Sequence, residues 1–240
     1  MGKEAFVIPR YNLIETGFIP SERKDGSYFY CPLRSFGELK RLFHVAYRSG
    51  EYRSRYGEKG VEADPNVQQL IIYGYVQRDD GKFLLYQRAG KGDYTEQRLA
   101  ERVSVGIGGH IEATDLSLTK SFYRELDEEA EVLINGEPLP LRDAQGNLNV
   151  SLMKKYLRIS PVGLIKDERD AVGKVHLGIV CKIVPRAETI NIRLRTEPGQ
   201  ENISYRYVTT QEYISMLNAG YIEPEGWTDI VFREEILCNR

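Results

Sequence analysis

The 240 residues carry 33 lysines and arginines against 35 aspartates and glutamates, a formal net charge of −2, and 41% of them are hydrophobic. A chain so nearly neutral has no broad basic field for nucleic acid or an anionic membrane, so an anionic substrate must be met by local groups. The length and apolar content allow the core of one domain with additions. The absence of any run of about 18 apolar residues and the unremarkable start, Met1-Gly2-Lys3-Glu4-Ala5-Phe6, predict a soluble, unexported, cytoplasmic protein.

Cys31, Cys181 and Cys238 are odd in number, far apart and form no C-x-x-C pair, which fits idle or buried thiols better than a disulfide framework or thiolate zinc site. Within residues 1–65 only Ser35–Arg48 reads as a helix, so this part is expected to be an N-terminal extension or arm, with residues 66–240 forming the main domain. Gln69–Gln77 is rich in β-branched and aromatic residues, and Asp79-Asp80-Gly81 then leads into Lys82–Gln87, which predicts a β-hairpin. A polar stretch, Arg88–Glu101, separates it from a short strand, Val103–Ile107, that ends at Gly108-Gly109. Arg88, Lys91, Arg98 and Arg102 lie in or beside that stretch.

From Leu116 to Glu131 the period becomes helical, with Leu118, Phe122 and Leu126 four apart and Thr114 or Asp115 as a cap. Leu157–Ile165 and Val175–Val184 read as strands around a polar loop, Lys166–Lys174. Thr209 or Thr210 starts a helix running to Asn218, and Thr228 starts a last one through Leu237. Strands enclosing a helix indicate an α/β arrangement, and no internal repeat is visible.

The helix after residue 116 carries more acid than packing requires. With Leu118 at zero and about 100° per residue, Glu125 falls near about −20° and Glu129 near about +20°, both inside the apolar stripe, and Glu128 near about −80°, at its edge. Arg124 stands one turn before Glu128, at pairing distance. Carboxylates gathered at a buried face must take up protons or be neutralised by a cation, and oxygen-only ligands suit Mg2+ or Mn2+. The competing reading is a solvated acidic face made by Asp127, Glu128, Glu129 and Glu131. The glycine loop just upstream, Gly108-Gly109-His110-Ile111-Glu112-Ala113-Thr114-Asp115, favours the first, because glycines let backbone groups approach a metal or phosphate.

These residues resemble the Nudix box, G-x5-E-x7-R-E-U-x-E-E-x-G-U with U an aliphatic residue. Gly109 aligns with the first glycine, Arg124-Glu125-Leu126 with R-E-U, Glu128-Glu129 with E-E and Val132 with the closing aliphatic, and Gly108 precedes the box. Asp115 stands where the first glutamate belongs, one residue is inserted before Arg124, and Glu131 replaces the last glycine. Together with Val172-Gly173-Lys174-Val175-His176-Leu177-Gly178, the segment looks like a branch of predicted Nudix phosphoesterases, over about Val67 to Val184. The resemblance implies a Nudix-like α/β/α sandwich with a mixed β-sheet, plus the N-terminal extension.

It also implies metal-dependent cleavage of a phosphoanhydride bond in a nucleoside diphosphate linked to another group. Gly108, Glu125, Glu128 and Glu129 are the metal candidates, with Mg2+ or Mn2+ as cofactor. Glu125, Glu128 and Arg124 are the catalytic candidates, Arg124 by orienting a carboxylate. Arg88, Arg98 and Arg102, with Lys91, are candidates for gripping phosphate. Glu168 or Asp170 would supply a distal carboxylate. His110 and His176 suggest acid–base groups, against the plainer reading of a lone histidine making a structural hydrogen bond. Trp227 and the tyrosines are candidates for stacking on a base, against a packing role. The expected partner is a small nucleotide-like substrate, with no nucleic acid or membrane, and a homodimer is a common assembly in the superfamily. A non-catalytic nucleotide- or metabolite-binding module is the alternative, and allyl diphosphate isomerisation is disfavoured because no cysteine lies near the box.

Overall fold

The computed structural model describes residues 4–21, 27–33, 36–57, 60–88, 101–113, 115, 117–169, 171–195 and 204–238. Lys91, Arg98, Thr114 and Asp170 lie outside the described residues.

In chain order, β1 (Glu4–Pro9) leads into a short helix, α1 (Arg10–Glu15), and β2 (Tyr28–Pro32) precedes α2 (Phe36–Ser49). The latter matches the expected helix and buries Leu39, Leu42 and Ala46, spaced three and four apart. After β3 (Glu51–Ser54) and a 3-10 turn at Val61–Ala63 comes β4 (Val67–Val76), every residue of which is buried. Next are β5 (Phe83–Gln87), β6 (Val103–Ser104), β7 (Gly106–Ile107), α3 (Leu118–Glu129), β8 (Ala130–Ile134) and β9 (Glu137–Pro138). They are followed by α4 (Val150–Tyr156), β10 (Leu157–Asp167), α5 (Ala171–Val175), β11 (His176–Pro185), β12 (Ile190–Leu194) and β13 (Tyr205–Val208). The described chain closes with α6 (Thr210–Asn218), α7 (Gly226–Val231) and a π-helical turn at Phe232–Leu237. This is the expected mixed α/β class. Among the described residues, no helix is long and apolar enough to cross a membrane.

Two compact units share these elements. Unit 1 comprises Met1–Tyr73, Gly108–Phe122 and Pro161–Cys181, and unit 2 comprises Gly74–Ile107, Tyr123–Ser160 and Lys182–Arg240. These units cut across the boundary expected at residue 65.

In unit 1 the strand order is β2-β10-β11-β4-β1-β3. β1 pairs antiparallel with β3, from Glu4 opposite Ser54 to Val7 opposite Glu51, and with the start of β4, from Val7 opposite Gln69 to Pro9 opposite Val67. The first 65 residues therefore supply three strands of this sheet, with Ala5, Val7, Val61 and Val67 clustered in its core.

In unit 2, β13-β5-β6 and β12-β8-β9 form two three-stranded sheets. The turn at residues 78–82 has the expected chemistry, with the Arg78 amide donating to the Lys82 carbonyl at 2.8 Å and Gly81 at φ +82°. The simple hairpin is nevertheless corrected: β4 and β5 meet only at a bridge between Gln77 and Phe83 and then join different sheets. Both edges of β4 are already occupied, by β11 on one side and by β1 and β7 on the other. The strand expected at residues 103–107 divides for a related reason. β6 pairs with β5, β7 pairs with β4, and between them the Val105 amide donates to Thr228 Oγ1 at 3.0 Å.

Thr209 caps α6 as expected. Its hydroxyl accepts the Glu212 amide at 3.2 Å while a Glu212 carboxylate oxygen accepts the Thr209 amide at 2.6 Å, and Gly220 at φ +70° follows the helix. Replacing Thr209 with alanine is expected to cost about 1 kcal/mol in urea denaturation. A loss indistinguishable from zero would show that water replaces both bonds.

Candidate functional site

The helix α3 forms because Phe122 and Leu126 bury one stripe, and because Ser117, rather than Asp115, caps it: the Ser117 hydroxyl accepts the Lys120 amide at 3.2 Å. Asp115 is 8% exposed and works in the preceding loop, where its Oδ2 accepts the Glu112 amide at 3.0 Å. The helix ends at Glu129, earlier than expected, and passes straight into β8. Glu131 is thereby a strand residue, opposite Arg193 of β12, and its carboxylate takes both Arg193 Nη2 at 2.5 Å and Arg195 Nη1 at 3.2 Å. That pairing is the reason a glycine exit is not needed here.

The acidic run thus separates into two kinds of carboxylate. Asp127 is 7% exposed and held by Arg142 Nε at 2.6 Å, while Arg195 Nε reaches its main-chain carbonyl at 2.8 Å. Asp127 and Glu131 hold unit 2 together through arginines, so the solvated acidic face is corrected: only Glu128 is exposed, Glu129 and Glu131 are half-buried, and Asp127 is buried.

Glu125 is of the other kind. It lies inside the apolar stripe, as the helical angles predict, with 8% of its surface exposed. Burial pushes its carboxyl up to about 8; Arg124 opposes this, and the nearby Glu129 and Glu128 add to it. Arg124 Nη1 sits 2.9 Å from Glu125 Oε1 and 3.0 Å from Glu128 Oε2, so one guanidinium aligns two carboxylates one helical turn apart. Glu129 is half-buried and lies near Tyr86, whose hydroxyl it helps to hold above its ordinary range, burial being the larger cause.

Arg88 is already engaged. Its Nε donates to Glu225 Oε2 at 2.7 Å, and Glu225, 3% exposed at the start of α7, also accepts the Ser104 hydroxyl at 2.6 Å. Arg102 pairs with the exposed Glu223 at 3.1 Å.

Gly108 belongs to unit 1, whereas Glu125, Glu128 and Glu129 belong to unit 2. Gly108 adopts φ +144°, and a Cβ there would fall 2.2 Å from the Ile72 carbonyl oxygen, so two backbones pass at a distance only glycine permits. The Gly109 carbonyl accepts the Ile72 amide at 2.9 Å and is spent on the sheet.

The region expected to be a polar loop after Ile165 is also corrected. β10 runs on to Asp167, Lys166 is 1% exposed with its Nζ donating to the Gly173 carbonyl at 2.5 Å, and α5 follows. Glu168, 6% exposed, takes Arg10 Nη1 at 2.9 Å with Lys166 Nζ at 3.5 Å, so it is a neutralised internal carboxylate.

Neither histidine stands alone. The His110 and His176 rings meet edge-on with centroids 5.4 Å apart, and Glu62 joins them. Nothing in their spacing along the chain signals this, since 48 and 66 residues separate them.

No protein-family profile matches the chain. Protein YmaB of Bacillus subtilis (strain 168) is 32% identical to it over 146 residues, which cover 61% of this chain and 60% of that protein. The chain thus matches less than two thirds of its curated relative's length. The solved structure of Tm1382, a candidate Nudix hydrolase, superposes with a TM-score of 0.62 at 16% identity, covering 98% of this chain and 99% of that one. This likeness shows that the chain has the fold of Tm1382.

Proposed function

We propose that this chain, which shares the fold of a candidate Nudix hydrolase, is a divalent-metal-dependent hydrolase of phosphoanhydride bonds in nucleoside diphosphates linked to a second group. One observation carries the reading: Glu125 is a buried carboxylate whose proton is held up to about 8 by burial, with two further carboxylates close enough to add to the effect. Such a cluster is unfavourable when ionised and becomes favourable when a cation neutralises it.

The donor set fits a hard ion, since Glu125, Glu128 and Glu129 offer only oxygen. Mg2+ or Mn2+ held there would withdraw charge from the diphosphate and acidify a bound water. The chain's own contributions are distinct from that. Arg124 orients Glu125 and Glu128 through a single nitrogen, so that their rotamers are set before substrate arrives. Glu128, the exposed carboxylate of the three, is the proposed third ligand or base. Arg102, Arg98 and Lys91 are the proposed phosphate-gripping groups, while Arg88 would have to leave Glu225 to join them.

The test is release of phosphate-containing products from a panel of nucleotide sugars, ADP-ribose and dinucleotides with Mg2+ or Mn2+. Turnover should vanish in chelator and fall about 100-fold in Glu129→Gln, which preserves shape while removing charge. Tight binding of a panel member with no turnover in any metal would replace the hydrolase by the binding module.

A further inference from the structure

Within unit 1, Glu62, His110 and His176 each place a ligand atom within 4.8 Å of the other two. They come from three elements: the 3-10 turn at Val61–Ala63, the segment after β7, and the start of β11. His110 forms an isolated bridge with Ile71, so its backbone is fixed by β4.

His176 supplies an independent observation. It is 5% exposed, its Nδ1 donates to the Val172 carbonyl at 2.6 Å, and its Nε2 is buried with no hydrogen-bond partner. A histidine whose Nδ1–H is bound to a main-chain carbonyl carries its lone pair on Nε2. This outer bond is the one that metal-binding histidines use to fix tautomer and ring orientation. An orphaned acceptor at this depth is costly unless something fills the position.

The other two residues are held in a similar way. Arg55 donates to Glu62 through both Nε at 3.0 Å and Nη2 at 2.8 Å, and both bonds fall on Oε1, which leaves Oε2 outside the pair. His110 Nε2 lies 3.0 Å from Gln69 Oε1, which anchors that ring to β4. Of the positive charges near His176, Arg55 is neutralised by Glu62 and Lys166 by Glu168, so neither presents an unpaired cation.

We infer that Glu62, His110 and His176 form a binding site for one transition-metal dication of the zinc class, separate from the carboxylates of α3. Two imidazoles and one carboxylate are a borderline donor set that favours Zn2+ over Mg2+, and three protein ligands leave a fourth position for water. With metal–ligand distances of about 2.0–2.2 Å, tetrahedral ligand atoms lie about 3.3–3.6 Å apart, so the three groups, all within 4.8 Å of one another, need to draw together by at most about 1.5 Å.

The inference does not depend on the hydrolase reading. The full chain, stripped with a chelator, is titrated with Zn2+ by calorimetry and with Co2+ by visible absorption, which reports a four-coordinate site without any substitution. The expected result is one tight equivalent, retained by Glu129→Gln and weakened at least about 100-fold by His110→Gln and by Glu62→Gln, since even outer partners of a metal ligand are worth 10–100-fold. Failure of the wild-type chain to bind an equivalent would overturn the site and leave a buried water on His176 Nε2. So would binding that survives both substitutions, or that Glu129→Gln alone removes.

Discussion

Glu125→Gln is expected to make the metal-free protein more stable at pH 8 while lowering metal-dependent turnover about 1000-fold. The two effects share one origin. In the fold the carboxyl titrates near 8 against an ordinary value of 4.5, with burial the first cause, so the folded state binds this proton more tightly than the unfolded chain does. The resulting contribution is full below pH 4.5, shrinks as pH rises through the window from 4.5 to 8, and is lost above it. At about 1.4 kcal/mol per pH unit, the loss across that window is on the order of 5 kcal/mol. Glutamine has the same shape and no charge, so the variant should lack this slope. Urea denaturation at pH 5 and pH 8 in chelator measures it, and identical pH dependence in the two proteins would refute the account. An added divalent ion should restore much of the wild-type stability at pH 8 and little of the variant's.

Gly108→Ala should cost about 4 kcal/mol, a fall in Tm on the order of 10 °C. Two penalties combine there. The backbone at φ +144° suits no L side chain, and the new methyl group would meet the Ile72 carbonyl oxygen at 2.2 Å, in backbone that β4 holds on both edges. Gly146 separates the two terms. It has φ +82° with nothing within 4 Å of where a Cβ would stand, so Gly146→Ala carries only the conformational penalty, about 1 kcal/mol. Equal losses at the two positions, compared by calorimetric melting, would mean that the close approach at Gly108 contributes nothing.

Local signals in the sequence led to elements that depend on local physics. The helical run Ser35–Arg48 located α2, and a threonine cap at Thr209 or Thr210 located α6, because both are settled within one or two helical turns. β10 and β11 were legible as strands, over Leu157–Ile165 and Val175–Val184. β1 was not, since its place between β3 and β4 rests on partners about 50 and 60 residues away, and a four-residue apolar run, Ala5-Phe6-Val7-Ile8, has no periodicity that announces it.

The candidate site divides along the same line. The burial of Glu125 and the Arg124–Glu128 contact followed from helical angles alone. Arg88 read as a loop cation because its carboxylate, Glu225, lies 137 residues away, and Asp127 read as a surface acid because Arg142, which holds its carboxylate, lies 15 residues away and beyond the helix. The meeting of His110 with His176 and Glu62 is likewise a product of strand order.

The chain passes between its two compact units five times, after residues 73, 107, 122, 160 and 181. No single cut can therefore release either unit as a contiguous fragment, and domain dissection by truncation is closed as a route to studying them. During synthesis, unit 1 has its full complement once Cys181 has emerged, but by then it must tolerate two excursions, of 34 and 38 residues, that belong to the other unit. Closing loops of that length is only slightly dearer than closing short ones, because the entropy grows with the logarithm of length. Interleaving of this kind is thus slow to assemble rather than unstable once assembled, and it ties the fate of each unit during folding to residues translated well after its own first strand.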